Sequence, residues 1–385
     1  MRKVAIIASG MCKVDRHWGL SLKELFSRAL EDATKECELP KIDAVIIGNM
    51  CGVDLSWQNN IAPLVADYSG FPSIPAFRVE NACASGASAL LAGYLAVASG
   101  MHDYVLVGGV EKLTEGVSSD VTLALAKAAD AETEIYYGAS FVSLNALLMR
   151  MYMERFNVDR HPFAQFSSLM HRNASKNPYA QLPFEISVEN ILRSEPIADP
   201  ITLYDCAPIG DGAAVVVLAP LDEAFKHSDS IVELAGIWCA TDTIDVASRE
   251  DPLFMRSTFE ASRNACKMAG ISVKDAQVLE VHDTFTITGF LSLESLGLLP
   301  PGGSPTALEE GVLSPGGTWQ VNLSGGLKAR GHPVGATGVY QAAEIHQQLI
   351  ERFPGVKASP AEIGLTQNVG GVGSISVVAI YRRVK

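Results

Sequence analysis

Apolar and polar positions along this chain fall into two kinds of run. Residues 3–7, 44–48 and 104–109 are short, almost wholly apolar stretches, the pattern of strands inside a sheet covered on both faces. Between them lies helical spacing. Ser21 and Glu24 form an S-x-x-E capping box, and Leu22, Leu25, Phe26, Ala29, Leu30 and Ala33 recur at helical intervals until Pro40 breaks the helix. Residues 79–83 read as extended and run into a small-residue helix over 86–99. From about 115 to 200 the chain turns helical and loopy, with polar stretches such as 170–183. It then closes in a Gly-Asp-Gly turn at 210–212 and a strand at 213–218. This middle segment reads either as a ligand-binding lid or as a peripheral helical layer.

The C-terminal part repeats the opening order. Residues 262–281 (SRNACKMAGISVKDAQVLEV) parallel 27–47 (SRALEDATKECELPKIDAVII): a helix, a break, a Lys/Ile–Asp–Ala turn and an apolar strand. Residues 321–349 parallel 79–99, opening with Val-Asn and Val-Glu-Asn respectively, each followed by Gly/Ser/Ala-rich chain and a helix. Residues 364–381 match the strand and Gly-Gly of 104–112. The alternation implies an α/β fold of two halves with equal topology, packed as layers. The boundaries expected are 1–225, carrying an insertion at about 115–204, and 226–385.

Composition narrows the function. The chain has 385 residues, 48% of them apolar and 19% charged, enough for a large packed core and unlike a disordered chain. The net charge of −13 and the lack of a dense basic run argue against nucleic-acid binding. The longest apolar stretches, 90–99 and 141–153, are short or interrupted by Asn145 and Arg150, so no membrane span is expected. No signal peptide is expected either, because the first strand opens at residue 3. Cysteines 12, 37, 51, 83, 206, 239 and 266 form no CxxC or close pair. Reduced thiols and a cytoplasmic location follow as expectations, with no zinc ribbon in this chain.

Candidate chemistry sits at matched places in the two halves. Cys83, in Asn81-Ala-Cys-Ala-Ser-Gly86, falls where a strand becomes a helix. A helix start favours a thiolate, and small neighbours admit a substrate, as an activated nucleophile requires. A cysteine among alanines is also ordinary packing. His332 lies between glycines and beside Pro333, a loop that either exposes the ring in a cleft or simply holds a structural histidine. His282-Asp283 follows an apolar strand, where polar side chains commonly reach the cleft of an α/β sheet; there His282 would hold a water or donate to an oxyanion, with Asp283 as a cap or a support behind it, and the alternative is a helix cap near Thr286. Asn368-Val-Gly-Gly371 reads as an oxyanion loop or as a plain turn into a strand. Asp211-Gly212 reads as a structural turn. His102, His161, His171, His227 and His346 show no metal-ligand spacing, and neither GxGxxG before a helix nor a P-loop is present.

Together the Cys83 segment, His282-Asp283-Thr284-Phe285, Gly-Gly-Leu-Lys-Ala-Arg-Gly-His-Pro (325–333) and Asn-Val-Gly-Gly (368–371) resemble the thiolase superfamily over almost the whole chain. Within it the likeness is greatest to the archaeal acetoacetyl-CoA type and the sterol-carrier-protein thiolases. The resemblance implies a duplicated fold of five layers, α-β-α-β-α, with two mixed five-stranded sheets and an insertion in the first half. It makes Cys83 the acyl-carrying nucleophile and His332 the group that takes its proton and helps bind the enolate oxygen. His282 would complete that oxyanion site, through a water, and the N–H groups of Cys83 and Gly370 would form a second one. The family's second acid/base thiol is missing: Asn368 stands at the Cys-x-Gly position and Thr284 at the sterol-carrier position. That leaves His332 or His282 to abstract the α-proton.

The implied reaction joins two acetyl-CoA into acetoacetyl-CoA and CoA, or reverses it. Thiolysis of another 3-oxoacyl-CoA, including an aromatic one such as benzoylsuccinyl-CoA, is the alternative enzyme reading. A non-catalytic acyl-CoA-binding scaffold and a retro-aldolase are rivals of other kinds. Coenzyme A is implied as co-substrate, with no permanently bound cofactor and no metal. Implied partners are further copies of the chain as a homodimer or homotetramer, a small zinc-ribbon/OB-fold protein, and 3-hydroxy-3-methylglutaryl-CoA synthase.

Overall fold

The computed structural model describes residues 1–35, 38–227 and 231–384, so Cys37 lies outside the described residues. The first half supplies β1 (Val4–Met11), β2 (Ala44–Gly48), β3 (Ala76–Val79), β4 (Val105–Glu111) and β5 (Gly212–Pro220), with helices α1 (Leu22–Thr34) and α2 (Ser85–Ala98). Between β4 and β5 the chain makes α3 (Phe141–Phe156) and α4 (His161–Ala174). The second half supplies β6 (Val232–Thr241), β7 (Val278–Glu280), β8 (Gln320–Val321), β9 (Ile363–Gly370) and β10 (Ile375–Arg383). Its helices are α5 (Arg256–Ala269), α6 (Thr286–Ser295) and α7 (Thr337–Leu349).

The strands lie in the order β8-β7-β9-β10-β6-β1-β5-β4-β2-β3. Read outward from the centre, β1-β5-β4-β2-β3 and β6-β10-β9-β7-β8 are the same arrangement twice. In each, the two outer pairings are parallel and the two inner ones antiparallel. Both mixed five-stranded sheets are therefore present. They are also joined, because β1 and β6 pair antiparallel at Ala5–Glu233 and Ile6–Val232, making one continuous ten-stranded sheet.

Helices α2 and α7 pack on each other in the central layer. Helix α1 covers the outer face of the first sheet, and α5 that of the second. Small residues make the central contact close. A Cβ added to Gly338 would stand 2.2 Å from the Ala87 nitrogen, and one on Gly86 would stand 2.9 Å from the Gly335 oxygen. Side chains at either place would force the two helix starts apart. Strand β1 outruns the expected residues 3–7 for a related reason. A Cβ on Gly10 would lie 2.2 Å from the Ala29 oxygen, so the glycine lets α1 settle directly on the strand.

The capping box at Ser21 and Glu24 forms as read, and Leu22, Leu25, Phe26, Ala29 and Ala33 are buried beneath α1. The 115–204 segment shares a further core with the second half. Tyr152, Phe163 and Phe166 gather around Phe290 of α6, with Phe163 and Phe290 stacked at 4.8 Å. Among the described residues, no helix is long and apolar enough to cross a membrane.

Candidate active site

The close meeting of α2 and α7 fixes where the chemistry sits, because Cys83 and His332 stand just ahead of their first turns. Ala82 adopts a left-handed φ of 51°, a conformation that costs a non-glycine residue and is held here by its surroundings. The Ser85 hydroxyl donates to the Ala82 carbonyl at 2.6 Å and accepts from the Asn81 N–H at 2.9 Å. The turn that aims Cys83 is thus pinned from both ends. On the other side, Gly370 lies against it: a Cβ there would be 2.5 Å from the Asn81 oxygen. Position 370 must therefore be bare for β9 to reach the nucleophile.

The Cys83 sulfur, a ring nitrogen of His282 and a ring nitrogen of His332 all lie within 4.8 Å of one another. The two imidazoles meet edge to face, their centroids 5.2 Å apart. Cys83 and His332 face a cavity of about 440 Å³ with a mostly apolar wall that includes Leu125, Phe141, Val142, Phe285 and Val334. Thr122, Ser140, Phe141 and Ile197 of the inserted segment line it too, so this segment serves as a cavity wall and not only as a peripheral layer. Three such ligand atoms could also clamp a thiophilic cation. The spacing of 83, 282 and 332 in the sequence gives no sign of that group.

Hydrogen bonds fix the tautomers. The Thr337 hydroxyl donates to the Pro333 carbonyl at 3.1 Å, so its oxygen accepts from His332 Nδ1–H at 2.7 Å. His332 Nε2 is left bare, buried and without a hydrogen-bond partner. His282 is wired the other way. Its Nδ1 accepts from the Val369 N–H at 3.3 Å and from the Asn368 amide at 3.1 Å. The proton is therefore on Nε2, 2.7 Å from Thr284 Oγ1. Burial keeps both rings neutral: His282 is held down to about 3, with the Arg330 charge adding to the effect. His332 is held well below the usual imidazole range by burial, then by His282 and Arg330.

Burial opposes the thiolate expected at Cys83. Burial pushes the thiol up to about 12, and Glu111 adds to it, while the residue's own backbone N–H works in the opposite direction. Loss of water outweighs the helix start, so the resting pair is thiol and neutral imidazole rather than an ion pair. Of the two parts expected of Asp283, cap or support, it does not cap the helix at Thr286 and takes the supporting one. It accepts the Leu327 N–H at 2.7 Å and so holds the turn that leads to His332.

Several supports were not readable in advance. Glu111 is fully buried and accepts from Met50 N–H at 2.8 Å, Cys51 N–H at 3.1 Å and Gly335 N–H at 3.0 Å, tying the first half to the His332 loop. Arg330 is buried against Glu344 at 2.8 Å and over the Tyr340 ring. Cys206 lines the cavity, while Cys51 packs in the apolar cluster beside Cys83. Asp211 is not in the turn expected at 210–212: it bridges to Asp15 just ahead of β5 and is structural, accepting the Leu113 and Thr114 N–H groups.

The doubled α/β architecture is that of a thiolase, and this chain belongs to the thiolase family. It is accordingly an enzyme of thiolase type. It matches the description "Thiolase, N-terminal domain" over residues 4–222 and "Thiolase C-terminal domain-like" over 239–383. It is 42% identical to an acetyl-CoA acetyltransferase of Methanothermobacter thermautotrophicus, covering 100% of both chains. It is 40% identical to that of Methanocaldococcus jannaschii over 99% of both. Human mitochondrial 3-ketoacyl-CoA thiolase shares the fold, with a TM-score of 0.75 at 18% identity over 100% of this chain and 99% of the other. The Ltp2-ChsH2(DUF35) aldolase does so with a TM-score of 0.84, also at 18% identity, over 98% and 97%.

Proposed function

We propose that the protein condenses two acetyl-CoA into acetoacetyl-CoA and CoA, or runs the reverse thiolysis, through an acetyl group carried on Cys83. The observation that carries this reading is the convergence of the Cys83 sulfur with a ring nitrogen of His332, whose Nε2 has no hydrogen-bond partner, at an apolar cavity. A neutral imidazole beside a neutral thiol is a general base. His332 takes the thiol proton as the sulfur attacks the thioester, then hands it to the departing CoA sulfur. Asn368 and the Val369 N–H hold His282 so that its Nε2–H is a donor. The backbone of Gly370, pressed on the Cys83 turn, serves the acyl carbonyl; each donor aimed at a developing oxyanion is worth roughly 3 kcal/mol.

Among the described residues, the cavity wall includes no lysine or arginine. This supports a partner that supplies contacts to the CoA phosphates, for which we propose the small zinc-ribbon/OB-fold protein, with 3-hydroxy-3-methylglutaryl-CoA synthase as an associate. Strand β3 ends the sheet with Phe77 46% exposed, which supports self-pairing into a homodimer or homotetramer. Coenzyme A enters as co-substrate, no resident cofactor is invoked, and we place the enzyme in the cytoplasm. The apolar wall favours thiolysis of a longer or aromatic 3-oxoacyl-CoA as the second reading.

The test is release of CoA from acetyl-CoA alone, compared with thiolysis of acetoacetyl-CoA and of longer 3-oxoacyl-CoAs by the purified protein. Turnover of the two short substrates is expected. Turnover of long or aromatic substrates only would replace the first reading by the second. No turnover, with acyl-CoA bound, would leave a scaffold.

A further inference from the structure

The condensation needs two proton removals: one from the Cys83 thiol, one from the methyl carbon of the second acetyl-CoA. Titratable side chains in the cavity wall, among the described residues, are Cys83, Cys206 and His332. Cys83 carries the acyl group when the second proton must leave. The Cys206 thiol is directed away, donating to the Thr202 carbonyl at 3.5 Å. His282 approaches the sulfur but has no lone pair to offer, since Nδ1 already accepts from Val369 and Asn368. His332 Nε2 is the remaining acceptor.

Thr284 is the unassigned group beside them. Its oxygen receives the Nε2–H of His282 at 2.7 Å, and its own hydroxyl hydrogen has no acceptor among the described residues. It also lines the cavity. A donor chain thus runs from the Val369 N–H through the His282 ring to the Thr284 hydroxyl and ends in the substrate space. Each link polarises the next.

We propose that His332 Nε2 is the base of both half-reactions, and that the Thr284 hydroxyl donates to the enolate oxygen of the second acetyl-CoA. The inference rests on the condensation reading. In the first half the Cys83 thiol proton passes to His332, sulfur bonds to the acetyl carbon, and the carbon–sulfur bond to CoA breaks. His332 then protonates the CoA sulfur. In the second half a methyl proton of acetyl-CoA passes to His332, and its electron pair moves onto the thioester oxygen, where Thr284 meets it. The carbon attacks the acetyl group on Cys83, the new carbon–carbon bond forms, and the bond to sulfur breaks. His332 returns its proton to Cys83. The imidazole goes from neutral to cation and back in each half, so no second thiol and no further reactant is needed.

The experiment compares wild type, Thr284→Val and Thr284→Ser in two separate measurements: acetylation of Cys83 by acetyl-CoA, and condensation by pre-acetylated enzyme. Valine keeps the shape and removes the hydroxyl. Thr284→Val is expected to acetylate at close to the wild-type rate and to condense on the order of 100-fold more slowly. Thr284→Ser is expected to restore most of the loss. Both half-reactions should also share one acid-side inflection in their pH profiles, since one base serves both. Unchanged condensation in Thr284→Val, equal loss of both half-reactions, or two distinct inflections would overturn the inference. A wild type that takes up no acetyl group instead defeats the condensation reading itself.

Discussion

Thiol and imidazole at this centre are both neutral at rest, and that sets the pH behaviour of single residues. Burial disfavours the charged form of each: it raises the Cys83 thiol to about 12 and lowers His332. As the pH falls through the ordinary histidine range, His332 therefore stays unprotonated, and acetylation should persist to more acidic conditions than a solvent-exposed histidine would permit. In the other direction, iodoacetamide should react with Cys83 ever faster from neutral to alkaline pH without a plateau. A plateau near neutrality would reveal a thiolate–imidazolium pair.

His332→Ala should slow acetylation by roughly 100-fold or more, the usual worth of a positioned base. Asn368→Ala should cost less. The His282 ring keeps its bond from the Val369 N–H, so one neutral hydrogen bond is lost, about 1 kcal/mol or roughly fivefold in rate. Stopped turnover in Asn368→Ala would assign that amide a larger part. Cys83, His332 and His282, which the structure brings together, could be picked out as candidates in the sequence because each sits at a junction crowded with small residues or directly after an apolar strand. Thr337 and Glu111 could not. Thr337 sets the His332 tautomer through a single hydroxyl, and the Glu111–Gly335 bond joins residues 224 positions apart. No local pattern encodes either.

At the scale of elements, the site exists because α2 and α7 touch backbone to backbone. The glycines that permit it look, in sequence, like those of any flexible turn; only the partner helix shows that position 338 has no room for a methyl group. Gly338→Ala puts a carbon 2.2 Å from the Ala87 nitrogen, and the helices must part. A loss of on the order of 3 kcal/mol in stability is expected from chemical denaturation, together with loss of acetylation. Retention of both would show that the contact has slack. The strand ends were the less legible part: β1 runs on to Met11, past the residues 3–7 expected, and Gly10 within it works as a clearance for α1.

Across the whole molecule, the doubling of the α/β unit was legible as an order of motifs repeated in two stretches of sequence. The joining of the two sheets was not, because it depends on two residue pairs between β1 and β6 that carry no mark of pairing. Glu111 links the halves where it matters chemically. Glu111→Ala leaves the Met50, Cys51 and Gly335 N–H groups buried without an acceptor, at about 1–3 kcal/mol each. A marked fall in the unfolding midpoint is expected; a midpoint equal to wild type would show that water or a neighbour satisfies all three.

The central claim is that one sulfur carries the substrate's acyl group, and the most direct measurement is peptide mapping by mass spectrometry after brief exposure to acetyl-CoA. A single acetyl group on the peptide containing Cys83, absent from those containing Cys51 and Cys206 and absent altogether in Cys83→Ala, is the predicted result. An unmodified Cys83 peptide in an enzyme that still turns over, or acetyl on another cysteine, would contradict it.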